Sequence, residues 1–161
     1  MTNEAADAGL LAASTIGEEL DEQECRVLAG VMGVRRLQDQ ELLVSEGQME
    51  NTLFVLMAGR LSVIGSILGQ ELVVYTMKNG ECAGTRAFVD RTPRKATLRA
   101  SGESLVYTMT PAAFESLLDR HPHIVYKVMR ALFRITHSNL LRMRDESQEL
   151  VNYVSKIHGR Y

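Results

Sequence analysis

The 161-residue sequence is short of several things, and each shortage excludes a class of protein. It has two cysteines, Cys25 and Cys82, with neither the close spacing of a metal site nor the density of a disulfide framework, so a reducing, cytoplasmic setting is expected. No apolar run approaches the 18 residues of a membrane-spanning helix, and the opening MTNEAADAGLLAAS is acidic where a signal peptide is basic, so neither membrane insertion nor export is expected. Charge of one sign is not in excess: 18 Lys and Arg stand against 20 Asp and Glu, a net charge of -2. That balance argues against a protein built to coat nucleic acid or an anionic membrane, while leaving room for a local basic pocket. There is no Ser-His-Asp context, no P-loop and no pair of carboxylates in a candidate cleft, so no catalytic residue is assigned and an enzyme is not expected. His121, His123, His137 and His158 show no ligand spacing, and neither a metal nor a cofactor is expected. Internal repeats and low-complexity linkers are missing too.

What is present suits one soluble domain, with 45% apolar and 24% charged residues, enough to bury a core. Residues 1–14 read as a flexible arm. Asp21 and Glu24 form a capping-box pattern that predicts a helix over about 21–32, and the acidic run around residue 20 reads as its solvated start. The period then changes. LLVSEGQ, TLFVLMAGRLSVIGS, QELVVYTMKNGE, KATLRA and SLVYTMT are short runs rich in Val, Leu, Thr and Tyr, separated by glycine-containing turns. They predict an antiparallel sandwich or barrel. Runs apolar on both parities, Phe54-Val55-Leu56 and Leu72-Val73-Val74, suit a rolled sheet with helices on its outside. Met49, Met57, Met77 and Met129 read as core filler.

Thr110 as N-cap and Pro111 as first helical residue predict a helix that runs to Pro122, where a longer one begins. Over 122–145 that longer helix carries Val125, Val128, Leu132 and Ile135 on one stripe, with Met129, Phe133, Leu140 and Met143 beside it. So wide a face predicts a homodimer through this helix, with Val128 and Leu132 in the interface. A short helix and tail are expected over 146–161. Because only 16 residues follow Asp145, with Lys156 and Arg160 set against Glu146 and Glu149, no DNA-binding unit is expected.

The stretch GTRAFVDRTPRKATLRA, from Gly84, carries the candidate chemistry. A helix starting at Gly84 presents free backbone N–H groups to an anion, and Arg94, on backbone stiffened by Pro93, adds a planar guanidinium that can bond two phosphate oxygens. On local composition alone, a hairpin glycine and a solvated turn arginine explain the same residues.

The order of features over roughly residues 15–145 resembles the cyclic-nucleotide-binding domain shared by catabolite-activator regulators, the regulatory subunits of cAMP-dependent kinases and nucleotide-gated channels. EGQMENTLFVLMAGRLSV resembles the family's paired strands, with Gly47 and Gly59 at the turn positions. NGECAGTRAFVDRTPRKAT resembles its phosphate-binding cassette, with Gly80, Gly84, Ala87, Pro93, Arg94, Ala96 and Thr97 at matching places. The resemblance implies a mainly β fold: an eight-stranded antiparallel jelly roll flanked by an N-terminal helix and long C-terminal helices. It also implies a cassette that holds a cyclic phosphate and a helix that dimerises and moves on binding. Arg94 is then the phosphate arginine, and Thr136 falls where the catabolite activators place a threonine that reaches the purine. Gly84, Thr85, Arg86, Ala87, Arg94, Lys95 and Thr136 make up the candidate ligand set.

Two residues depart from the family pattern. Thr85 stands where a glutamate usually accepts a bond from the ribose hydroxyl, and a charge-assisted bond of roughly 1.5–3 kcal/mol is lost with it. Such a loss weakens a cyclic mononucleotide about ten- to a hundredfold. Arg86 stands where an aliphatic residue is usual. Two functions follow as alternatives. One is a stand-alone sensor of cAMP, cGMP or a cyclic dinucleotide that signals to an effector protein not identifiable from the sequence. The other is a domain with a vestigial pocket that serves for dimerisation or docking.

Overall fold

The computed structural model describes residues 4–158, with the backbone alone described at His158; residues 1–3 of the expected arm and 159–161 of the expected tail lie outside the described residues. The rest of the arm is partly ordered, contrary to the sequence reading. Helix α1, Ala8–Ala12, starts at Asp7, whose carboxylate accepts from the Leu10 N–H and whose own N–H donates to the Tyr107 hydroxyl at 2.8 Å. Leu11 and Ser14 are fully buried. Even with its cap, a five-residue helix alone is unstable in water, so this one persists through its docking.

Helix α2, Glu22–Ala29, has the expected capping box: the Asp21 carboxylate accepts from the Glu24 N–H at 2.8 Å, and the Glu24 carboxylate accepts from the Asp21 N–H at 3.1 Å. Eight strands follow: β1 Gly33–Leu37, β2 Leu42–Val44, β3 Leu53–Ala58, β4 Leu61–Ile67, β5 Gln70–Met77, β6 Cys82–Ala83, β7 Thr97–Ala100 and β8 Ser104–Met109. Helix α3, Thr85–Asp90, interrupts them between β6 and β7. Two four-stranded antiparallel sheets result, in the orders β1-β8-β3-β6 and β2-β7-β4-β5, which is the jelly-roll sandwich. Strand β1 escaped the sequence reading because GVRRL is mostly exposed and carries two arginines; β6 escaped it because it has only two residues.

The parity of β3 builds two cores. Phe54 and Leu56 face the second sheet, among Leu61, Met77, Leu98 and Val106. Leu53 and Val55 face the opposite way, against Leu11, Leu28, Phe88, Phe114 and Val128 from the helices. Of the methionines read as core, Met77 is buried and Met57 half-buried, but Met49 and Met129 are exposed.

Helix α4, Pro111–Glu115, is capped by the Thr110 hydroxyl at the Ala113 N–H, as its sequence predicts. Helix α5 is one continuous element, Pro122–His158, where two helices were expected, and its 37 residues give it a length of about 55 Å. Ile124, Val128, Ala131 and Leu132 are buried in the chain's own core, with Val125 and Ile135 packed against it. Val128 and Leu132 are therefore no interface residues. The second stripe, with Met129, Phe133, Leu140 and Met143, is the exposed one. The acidic run near residue 20 also has a role beyond solvation: Glu19 pairs with Arg130 and Arg134, and Glu24 with Lys127, fastening α5 to the N-terminal segment. Among the described residues, no helix is long and apolar enough to cross a membrane.

Candidate functional site

A cavity of about 850 Å³ opens between β4–β5, the β6–α3 segment, the loop before β7 and the middle of α5. That volume lies in the upper part of the range of small-molecule sites, about 300–1,000 Å³. Gly84 forms its floor. With φ of +83° the residue sits in the left-handed region as the N-cap of α3, and a Cβ added there would collide with the Arg94 Nη1. The close approach of guanidinium and backbone thus requires glycine. No side chain among the described residues caps α3, and the residues carrying its first N–H groups, Thr85 to Ala87, line the cavity.

Arg94 is 4% exposed. The β2–β3 connection clamps its backbone from both sides, since its N–H donates to the Gln48 carbonyl at 3.0 Å and its carbonyl accepts from the Gly47 N–H at 2.8 Å. Its Nη2 donates to Glu50 Oε2 at 2.8 Å and to the Thr52 carbonyl, and its Cζ lies 4.9 Å from the centre of the Phe54 ring. Nη2 is therefore held in place. Nε and Nη1 are buried and have no partner among the described residues. Leaving such donors unmatched costs more than most buried groups tolerate, which marks them as places for an acceptor.

Glu50 is the residue that the sequence reading missed. Burial pushes its carboxyl upward, but bonds from Thr52 and Arg94 outweigh burial and hold it below the usual carboxylate range. It stays charged and compensates the Arg94 cation from behind. Nothing local marks it, because it lies 44 residues before its partner in an ordinary polar turn.

All seven candidate residues, Gly84, Thr85, Arg86, Ala87, Arg94, Lys95 and Thr136, line this one cavity. Thr85 is half-buried, Ala87 buried, and Arg86 and Lys95 exposed on the rim with no ion-pair partner among the described residues. Thr136 enters from α5; its hydroxyl donates to the Leu132 carbonyl at 2.9 Å, leaving its oxygen able to accept. Tyr75, Glu81, Cys82 and Arg142 complete the wall. Burial raises the Cys82 thiol to about 12, against a bond from Thr15, so it stays a neutral thiol at physiological pH. The wall is mostly apolar, with Arg86, Arg94, Lys95 and Arg142 supplying cations on it.

The description "Cyclic nucleotide-binding domain" belongs to the family model that matches residues 34–121. A cGMP-dependent protein kinase of Eimeria tenella is 26% identical over 125 residues, which is 78% of this chain and 12% of the kinase. The chain thus spans about an eighth of that curated relative. Among solved structures, a cyclic nucleotide-binding domain from Methylobacillus flagellatus superimposes with a TM-score of 0.80 at 18% identity, covering 92% of this chain and 86% of that one. The catabolite activator protein of Thermus thermophilus gives 0.72 at 20% identity, covering 87% and 64%. At these identities the structural likenesses speak for the fold.

Proposed function

The chain belongs to the cyclic nucleotide-binding domain family, and from that premise we propose that it is a regulatory sensor whose cavity takes a phosphate-bearing nucleotide and whose α5 passes occupancy to another protein. The observation that carries this reading is the buried, unpartnered Nη1 and Nε of Arg94 beside the start of α3. A phosphate set there accepts from Nη1, which lies against Gly84, and the α3 N–H groups take its remaining oxygens. Thr136 supplies an acceptor for a base. Transmission has a physical route: Phe88 of α3 contacts Phe114 of α4 at 5.4 Å between ring centres, Arg91 pairs with Glu115, and α4 leads into α5.

Charge narrows the ligand. Thr85 offers a neutral hydroxyl in place of the family's ribose carboxylate, and Arg86 and Lys95 add unpaired cations at the rim. cAMP is therefore bound weakly or not at all, and a cyclic dinucleotide or another doubly charged phosphate is the better match. The exposed stripe of α5, with Tyr126, Met129, Phe133, Leu140, Met143, Leu150, Val154 and Ile157 at spacings of three, four and seven, suits a second copy of the chain in a parallel helical pair. The cytoplasm and a protein effector complete the proposal.

Calorimetric titration with cAMP, cGMP and cyclic dinucleotides tests it. Dinucleotide binding that Arg94→Ala abolishes, with the circular dichroism unchanged, is the expected result. Thr85→Glu should recover cAMP binding by up to about 3 kcal/mol, the scale of one charge-assisted bond. A protein that binds none of these ligands is instead a dimerisation or docking element.

A further inference from the structure

Helix α5 changes character at the cavity. Up to Leu132 it is anchored by buried side chains, whereas from Thr136 to Ile157 none of its side chains is buried, yet Thr136, Asn139, Leu140, Arg142, Met143 and Glu146 line the cavity. Beyond the continuity of the helix itself, this segment has no buried anchor.

One side-chain relay connects it to the barrel. The Arg142 Cζ lies 4.2 Å from the centre of the Tyr75 ring on β5. The Tyr75 hydroxyl donates to Glu81, 2.7 Å from Oε1 and 3.0 Å from Oε2, and the Lys78 N–H fixes that carboxylate to the turn before β6 at 3.0 Å. Burial raises the Tyr75 phenol above its ordinary range, Glu81 adds to the rise and Arg142 opposes it, so the phenol keeps its proton and remains a donor. Cation, ring and carboxylate form three layers from helix to barrel, all on the cavity wall. Glu146, one turn along α5, lies 3.9 Å from the Arg142 Nε and holds the guanidinium only loosely.

We propose that Arg142, Tyr75 and Glu81 are a clasp that holds the distal part of α5 over the cavity and thereby regulates access to it. The cavity's role rests on the reading above; the clasp is a property of the chain and can be tested without any nucleotide. A cation over an exposed or half-exposed ring is a weak contact, about two- to fivefold in an equilibrium. An arginine–phosphate bond is stronger than that. A ligand with a phosphate near the rim therefore draws Arg142 from Tyr75, and the helix exchanges a contact with the barrel for one with the ligand.

Cys82 reports on the clasp, because it lines the cavity, while Cys25, on the buried face of α2, serves as control. The measurement is the rate of N-ethylmaleimide labelling at each cysteine, resolved by mass spectrometry at one fixed pH. Arg142→Ala, at an exposed position, is expected to raise the Cys82 rate about fivefold with Cys25 unchanged. Tyr75→Leu should act in the same direction, and Arg142→Lys should stay near the unmodified rate. An unchanged Cys82 rate in Arg142→Ala overturns the proposal, as does a parallel rise at Cys25, which would mean general loosening. Nucleotide titration of the same proteins separates the two readings. Cys82 labelling that responds in a protein binding no nucleotide leaves the clasp standing and removes the ligand assignment, whereas nucleotide binding with insensitive labelling removes the clasp.

Discussion

Strands β3 and β5 each carry an apolar run on both parities, and the two runs have opposite fates. Leu53, Phe54, Val55 and Leu56 are at most 3% exposed, whereas Leu72, Val73 and Val74 are 46%, 60% and 53% exposed. An apolar run on both parities led to one expectation for both strands, burial between a second sheet and helices, and it fails for β5. The difference is position in the sheet. β3 has β8 on one side and β6 on the other, under helices, while β5 is the last strand of its sheet and pairs only with β4. Its hairpin ends in a two-residue turn at Leu68 and Gly69, both at positive φ, and Leu68 is 99% exposed where such turns prefer Asn or Gly. Nothing in the structure explains that leucine. The same contrast divides α5, whose inner stripe closes the core while its outer stripe stays exposed.

Substitutions on covered and uncovered faces sharpen the comparison. The largest effect belongs to Val128→Asp, which places an unpaired carboxylate at a fully buried position and should cost more than about 4 kcal/mol, enough to unfold the chain in a denaturant titration. Leu56→Ala removes a side chain from the space between the sheets and should cost about 2–5 kcal/mol by the same measurement. Phe133→Asp, on the outer stripe of the same helix, should leave the denaturation midpoint nearly where it was and convert a dimer to a monomer in light scattering. A dimer that survives it is held together elsewhere.

Acid gives a smaller effect. The bond from Lys127, then that from the Asp21 N–H, holds the Glu24 carboxyl below its ordinary range, against a small push from burial. A folded-state value depressed in this way contributes stability above the unfolded carboxylate value, and that contribution is lost as pH falls through the folded value. Glu24→Gln should flatten the acid side of the stability profile between those two values and leave the alkaline side alone. The smallest effect belongs to β5: Val73→Ala should change stability by no more than about 0.5 kcal/mol. A loss as large as that at Leu56 would mean that the hairpin is covered in solution, and dilution during the measurement would then reveal the partner.

Much of the fold was legible because its signals are local. Asp21 with Glu24, and Thr110 with Pro111, announce helix starts through bonds that span three residues, and the structure has both caps. Alternation identified most of the sheet, but not β1, whose arginines mask it, nor the short β6. At the site, six candidate residues could be named from the cassette pattern and Thr136 from its place in the long helix, yet Glu50, Thr52, Tyr75, Glu81 and Arg142 could not, since each reaches its place only when distant segments meet.

From the sequence alone came one domain, a β sandwich or barrel flanked by helices, a helix start at Gly84 and an arginine available ten residues later. These depend on backbone sterics, capping and side-chain period, all set within a few neighbouring residues. Tertiary structure decided which apolar faces are covered, that α5 runs unbroken through residue 145, that Glu50 takes Nη2 of Arg94 and leaves Nε and Nη1 without a partner among the described residues, and that Arg142 rests on Tyr75. Those outcomes depend on which segments the folded chain brings side by side, and period and capping carry no information about partners 42 or 44 residues away.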